Sequence, residues 1–171
     1  HMLATNIHFH HDVEAARAKG AVVWCIDAYR NKTADLADHF IAVRPGTDGA
    51  LALGMMHVLD RDGLADEAFL DRNVLGWEDL KKNVLSKYTP EKTQGITGVP
   101  ADVIVELAHA YGRARAPFIR LGSGQSRYRN GAMTTRLITC LPAVVGAWGK
   151  QGAGLLTSAS ASKAYDKEIV T

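Results

Sequence analysis

The sequence predicts an α/β fold in which parallel strands are flanked by helices. Three observations carry that expectation. The run at 21–26 (AVVWCI) is continuously apolar and rich in β-branched residues, the pattern of a buried strand in a parallel sheet. Shorter apolar runs at 39–43 (HFIAV) and 117–121 (PFIRL) repeat it. Around these runs, apolar residues recur at helical spacing, so helix and strand alternate along the chain.

Taken in order, residues 10–19 place Val13, Ala16 and Arg17 at helical spacing, and Gly20 is a natural stop. The first strand follows and ends at Asp27. Residues 33–38 read as a short helical turn before the second strand. Pro45-Gly46 then punctuates the chain. Thr47 or Asp48 is a natural N-cap for a helix reaching about residue 59, with Ala50, Leu51, Leu53, Gly54 and Val58 as its apolar positions. Two helices are expected near 66–73 and 77–87, and Thr89-Pro90-Glu91 starts a further turn. Pro100 opens a helix through about 113, at the N1 position that proline favours. The third strand at 117–121 leads into Gly122-Ser123-Gly124 and a long helix over about 131–145. From Gly149 the chain turns glycine-rich and then Ser/Ala-rich, with little to bury, and reads as a connecting segment over 149–171. The folded domain is placed at 3–148. His1-Met2 reads as a cloning scar.

Composition narrows the function classes. With 171 residues, 47% hydrophobic and 22% charged, the chain can bury a full single-domain core. Its 20 basic and 18 acidic side chains nearly balance, which argues against a nucleic-acid partner or an anionic membrane surface. Arg113, Arg115, Arg120, Arg127 and Arg129 make only a loose cluster. No apolar run approaches the ~20 residues of a membrane helix. Cys25 and Cys140 both fall in apolar stretches and read as small core residues, and no Cys-x-x-Cys is present for a zinc or iron–sulfur framework. His8, His10 and His11 cluster, but His10 and His11 are adjacent and face different ways on a helix.

Ligands of open α/β sheets sit beyond the carboxyl ends of the strands. Three segments follow strands here, at 27–31, 44–48 and 122–125, and a parallel sheet would set them on one rim. Asp27 is acidic at a strand end, where dinucleotide folds bind ribose hydroxyls, or it is a turn aspartate capping the next segment. Thr47-Asp48 could simply cap its helix. Alternatively, the Asp48 carboxylate could accept parallel hydrogen bonds from the N1–H and exocyclic amine of guanine, a pair of donors that adenine lacks. Gly122 and Gly124 let backbone approach a ligand closely, and the Gln125 amide can donate and accept. Gly149-Lys150-Gln151-Gly152 lacks the glycine–lysine–hydroxyl order of a P-loop.

Together these segments resemble the dimethyl-sulfoxide-reductase family of molybdopterin oxidoreductases. Members carry a strand ending in Ile-Asp-Pro, then Thr-Ala-x-x-Ala-Asp, then Arg-Pro-Gly-Thr-Asp-x-Ala-Leu. This chain has Ile26-Asp27, then Thr33-Ala34-Asp35-Leu36-Ala37-Asp38, then Arg44-Pro45-Gly46-Thr47-Asp48-Gly49-Ala50-Leu51. Tyr88-Thr89-Pro90-Glu91, Ile96-Thr97-Gly98-Val99, Gly122-Ser123-Gly124-Gln125 and the stretch 146–154 follow in the family's order. Ala28 departs from the pattern, where many members carry proline.

The resemblance implies a Rossmann-like parallel sheet, lacking its first strand, from a larger oxidoreductase. Such enzymes hold a bis(molybdopterin guanine dinucleotide) around molybdenum or tungsten, and this segment would grip the guanosine end of one of the two. Asp27, Ala28, Tyr29, Arg30 and Asn31 would line the ribose and guanine. Gly46, Thr47 and Asp48 would form the second loop, with Asp48 reading guanine. Leu121, Gly122 and Gln125 would lie nearer the pterin and diphosphate. The metal's protein ligand, any iron–sulfur cluster and a first strand ending in Trp-Gly-x-Asn are expected before Leu3, and a C-terminal barrel after this segment. Expected partners are the parent's other domains and an electron-transfer subunit, with self-association of the fragment through an unpaired sheet edge. Members work in the cytoplasm or the periplasm. The alternatives are a free-standing guanine-nucleotide binder and a non-catalytic interaction domain.

Overall fold

A computed structural model describes residues 2–5 and 7–157. The expected alternation of helix and strand is present, with the strands gathered in parallel pairs. Helices α1 (Met2–Thr5) and α2 (His8–Arg17) lead into strand β1 (Trp24–Asp27). The short helix α3 (Lys32–Leu36) crosses to β2 (His39–Ala42), which pairs parallel with β1 in the register Trp24↔His39 to Asp27↔Ala42. The rings of Trp24 and His39 stack across that ladder, 3.9 Å apart.

The next helix, α4 (Asp48–Arg61), is the centre of the molecule. It buries Leu51, Ala52, Leu53, Met55, Met56, Val58 and Leu59, residues that lie all round its circumference. A helix apolar on every side must be enclosed by others. It packs against α7 (Pro90–Thr97), α8 (Ala101–Arg113) and α9 (Gly131–Val144). Two glycines permit the close approach. A Cβ at Gly54 would meet Thr93 Oγ1 of α7 at 2.7 Å, and one at Gly49 would meet Leu137 and Thr134 of α9 at 3.2–3.3 Å. Helices α5 (Glu67–Asn73) and α6 (Trp77–Asn83) link α4 to α7, and Asp66 caps α5 by accepting from the Phe69 amide at 3.0 Å. Thr89 caps α7, with Pro90 in its first turn. After α8 comes β3 (Phe118–Leu121), which pairs parallel with β4 (Gly154–Thr157).

Several expectations need correction. The described strands form two separate two-stranded pairs rather than one sheet. The first strand starts at Trp24 rather than Ala21, and it is only half-buried, with Ile26 39% exposed. Its continuous apolar run therefore does not mean enclosure on both faces. The glycine-rich stretch after Gly149 contributes β4, because β3 needs a partner for its backbone groups and Leu155-Leu156 can supply one. Residues 158–171 of the expected connecting segment lie outside the described residues. Pro100 sits at the N-cap of α8, one residue before N1. The helix expected over 77–87 breaks at Val84 into α6 and a 3-10 turn, Leu85–Lys87. Cys25 and Cys140 are half-buried rather than fully enclosed. Burial still pushes both thiols up, which disfavours the reactive thiolate.

Candidate functional site

The parallel pairing of β1 and β2 sets their carboxyl ends side by side, and the Val43 amide donates to the Asp27 carbonyl at 3.1 Å. The segments 27–31 and 44–48 therefore share one rim. Asp27 is fastened there. Its Oδ1 accepts from the Ala28 amide at 2.7 Å and its Oδ2 from Asn31 Nδ2 at 2.8 Å. Asn31 in turn caps α3, its Oδ1 accepting from the amides of Thr33 (2.8 Å) and Ala34 (3.1 Å). Asp27 thus acts first as the brace of a capping asparagine, with one lone pair on each oxygen left for a ligand. Arg30 pairs with Asp35 at 2.8 Å and lies over the Phe40 ring, while Ala28 and Tyr29 (68% exposed) face solvent.

The second loop is held from below by Arg44. Its Nη1 donates to the carbonyls of Gly95 (3.2 Å) and Ile96 (2.6 Å), and its amide donates to Thr97 O at 2.8 Å. These carbonyls lie in the last turn of α7, where a helix end favours a cation. Gly46 turns the chain with φ +78°, a conformation that side-chain-bearing residues rarely adopt. Thr47 occupies the N-cap position of α4, yet its side chain makes no cap bond; its hydroxyl donates back to Arg44 O at 2.7 Å.

Asp48 begins α4 and is half-buried. Burial pushes its carboxyl above the ordinary carboxylate range and the charge of Asp27 adds to this, while a hydrogen bond from its own backbone N–H opposes both. Among the described residues no side chain donates to it. A half-buried carboxylate whose one protein donor is its own backbone N–H keeps acceptor capacity for a ligand.

The third segment leaves β3 at the buried Leu121, passes the half-buried Gly122 and enters a 3-10 turn, Gly124–Arg127. Gln125 Nε2 donates to Thr135 Oγ1 of α9 at 3.3 Å, so this amide is partly spent on holding its own loop. The segment meets the second loop through a residue that sequence reasoning did not select. The Tyr128 ring packs on Gly46, where a Cβ would stand 3.4 Å from its Cγ and Cδ1. An aromatic between Arg127 and Arg129 was visible in the sequence, but nothing in its spacing aimed it at Gly46. Arg44 was visible only as part of a motif, without its anchoring role.

Among the described residues, no helix is long and apolar enough to cross a membrane, and no group of three or more His, Cys, Asp or Glu is gathered to hold a metal. The sequence profile of the family described as "Molybdopterin oxidoreductase" matches residues 2–167. The chain belongs to the molybdopterin oxidoreductases. Within the family it is 44% identical over 164 residues to the probable oxidoreductase YoaE of Bacillus subtilis, covering 96% of this chain and 24% of that protein. It is 35% identical over 140 residues to formate dehydrogenase H of Escherichia coli, covering 82% of this chain and 19% of that one. The fold superposes on acetylene hydratase from Pelobacter acetylenicus with a TM-score of 0.77 at 28% identity, over 85% of this chain and 20% of that one. The chain thus spans about a quarter or less of the length of these relatives. Family membership implies a molybdenum or tungsten pterin cofactor.

Proposed function

We propose that this chain is the portion of a molybdenum or tungsten oxidoreductase that holds the guanosine end of one molybdopterin guanine dinucleotide. The observation that carries this reading is Asp48, a half-buried carboxylate on a strand-end rim with no side-chain donor among the described residues. Guanine can supply the donors that no neighbouring side chain provides. Its N1–H and exocyclic amine point the same way and can both be accepted by one carboxylate. Asp27 and Asn31, with the exposed Ala28, Tyr29 and Arg30 beside them, line the ribose and base. Gly46 and Thr47 keep the backbone close under the base, and Leu121, Gly122 and Gln125 lie toward the diphosphate and pterin. When bound, the metal and pterin supply the redox chemistry; these residues only bind and orient. The remainder of the enzyme would contribute the metal's protein ligand, any iron–sulfur cluster and contacts to an electron-transfer subunit. The isolated chain is expected to be catalytically inert. The relatives' names span formate dehydrogenase and acetylene hydratase, so the substrate is set outside this segment.

The test uses complementary bases. Xanthine keeps the N1–H of guanine but has a carbonyl where guanine has its amine. The unsubstituted chain should prefer GDP to both XDP and ADP in calorimetric titrations. Asp48→Asn offers one acceptor and one donor, and should reverse the order of GDP and XDP. Equal affinity for GDP and ADP in the unsubstituted chain would sink the guanine-holding role.

A further inference from the structure

We infer that Tyr128 is the stacking platform of the nucleotide site, giving affinity for a purine ring without regard to which purine it is. The inference rests on the guanine-holding reading above and adds a residue that the rim loops alone do not include. Gly46 lies against the Tyr128 ring. Its φ of +78° already favours glycine, and the near side of the Tyr128 ring occupies the space above it. That contact fixes the ring two residues along the chain from Asp48, on the loop that Arg44 ties to the end of α7. The ring stays 46% exposed, although it packs on the backbone of another loop.

Tyr128 is also held from its own side. Its carbonyl accepts from the Gly131 amide at 2.9 Å at the start of α9, and a Cβ at Gly131 would collide with the backbone of Ser126. The turn carrying the ring is therefore pressed against a 14-residue helix that itself packs on α4. An aromatic residue seated against backbone and still 46% exposed can offer its ring to a flat base, because every purine presents a π-face. The two residues divide the work. Asp48 reads the donor pattern of the base edge, and Tyr128 holds the base plane.

The experiment titrates GDP, XDP and ADP into the full 171-residue chain and its variants Tyr128→Ala, Tyr128→Phe and Tyr128→Leu, following affinity and the NMR shift of the purine H8 proton. A base lying over the ring is shielded, so H8 should move upfield in the unsubstituted chain and in Tyr128→Phe. The shift should vanish in Tyr128→Ala and Tyr128→Leu. Tyr128→Ala should weaken GDP and XDP alike by about tenfold, leaving their ratio intact. Tyr128→Leu restores bulk over Gly46 and should recover little. Full recovery by leucine, or a collapse of the GDP/XDP ratio in Tyr128→Ala, would mean that the ring merely positions the Asp48 loop, and would overturn the inference. Unchanged affinity in all three variants, with GDP still preferred, overturns the platform and leaves base reading standing. Loss of purine preference with the H8 shift retained does the reverse. No binding of any nucleotide overturns both.

Discussion

A carboxylate half out of water at the head of a helix is unfavourable to the empty protein, and Asp48 shows the consequence. Its folded carboxyl titrates above its unfolded value, because burial and the charge of Asp27 disfavour ionisation. The folded state therefore binds more protons than the unfolded one, and stability falls as pH rises from the unfolded carboxylate range through the folded value. Asp48→Asn removes that loss. The variant should melt higher than the unsubstituted chain at pH 7, and the difference should close below about pH 4, where both carry a neutral side chain. A melting difference that stays flat across this range would contradict the burial argument. Arg44 sets a contrasting case, since it supports the loop and needs no ligand. Arg44→Ala forfeits the bonds to Gly95 and Ile96. Because the side chain is exposed, the cost in urea denaturation should be about 1 kcal/mol. The GDP/XDP preference should narrow with it, as Asp48 loses its fixed position. The motif residues around Asp48 were legible in the sequence because they lie within one short run. The grip of Arg44 on Ile96, 52 residues away, and the seat of Tyr128 on Gly46 were not, because local spacing carries no information about what a side chain meets across the fold.

Among the elements, α4 was the most legible, since its start and its apolar positions lie in one uninterrupted stretch. Its environment was less so. By helix propensity alone, a glycine such as Gly54 is up to about 1 kcal/mol less favourable than alanine. Packing opposes that preference, because Thr93 fills the space a Cβ would take and is itself fully buried. Overpacking typically costs about 1–3 kcal/mol, enough to outweigh the propensity gain. Gly54→Ala should thus lower stability by about 1 kcal/mol in urea denaturation, and pairing it with Thr93→Ser should recover part of the loss. A stabilised Gly54→Ala chain would show that α7 yields. The strands were found at their centres and missed at their limits. Four residues leave almost no periodicity to read, and β4 lay inside a stretch whose glycines and serines disguised the apolar pair Leu155-Leu156.

Among the described residues the core is built mainly from helices, and the strands contribute to it at Ile41 and, more marginally, at Leu121. Met56, Leu59, Leu70, Leu85 and Ile104 are fully buried around α4, whereas Val22, Ile26, Phe118 and Leu156 on or beside the strands are exposed. Two-stranded pairs are marginal by themselves, so native-state hydrogen exchange should find the amides of α4 slowest and those of the β1–β2 and β3–β4 pairs markedly faster. Comparable protection in both would mean that the pairs open only with the core. This division was not foreseen, because the apolar strand runs suggested a sheet at the centre. It also bears on how defects in such a chain would present themselves. One continuous helix has Asp48 at its head and Met56, Val58 and Leu59 along its body. Truncating Met56 should cost about 2–5 kcal/mol and loosen the end that carries Asp48. A genetic screen for lost nucleotide binding would then return lesions deep in the interior alongside those on the rim, and a map of its hits would trace a helix rather than outline a pocket.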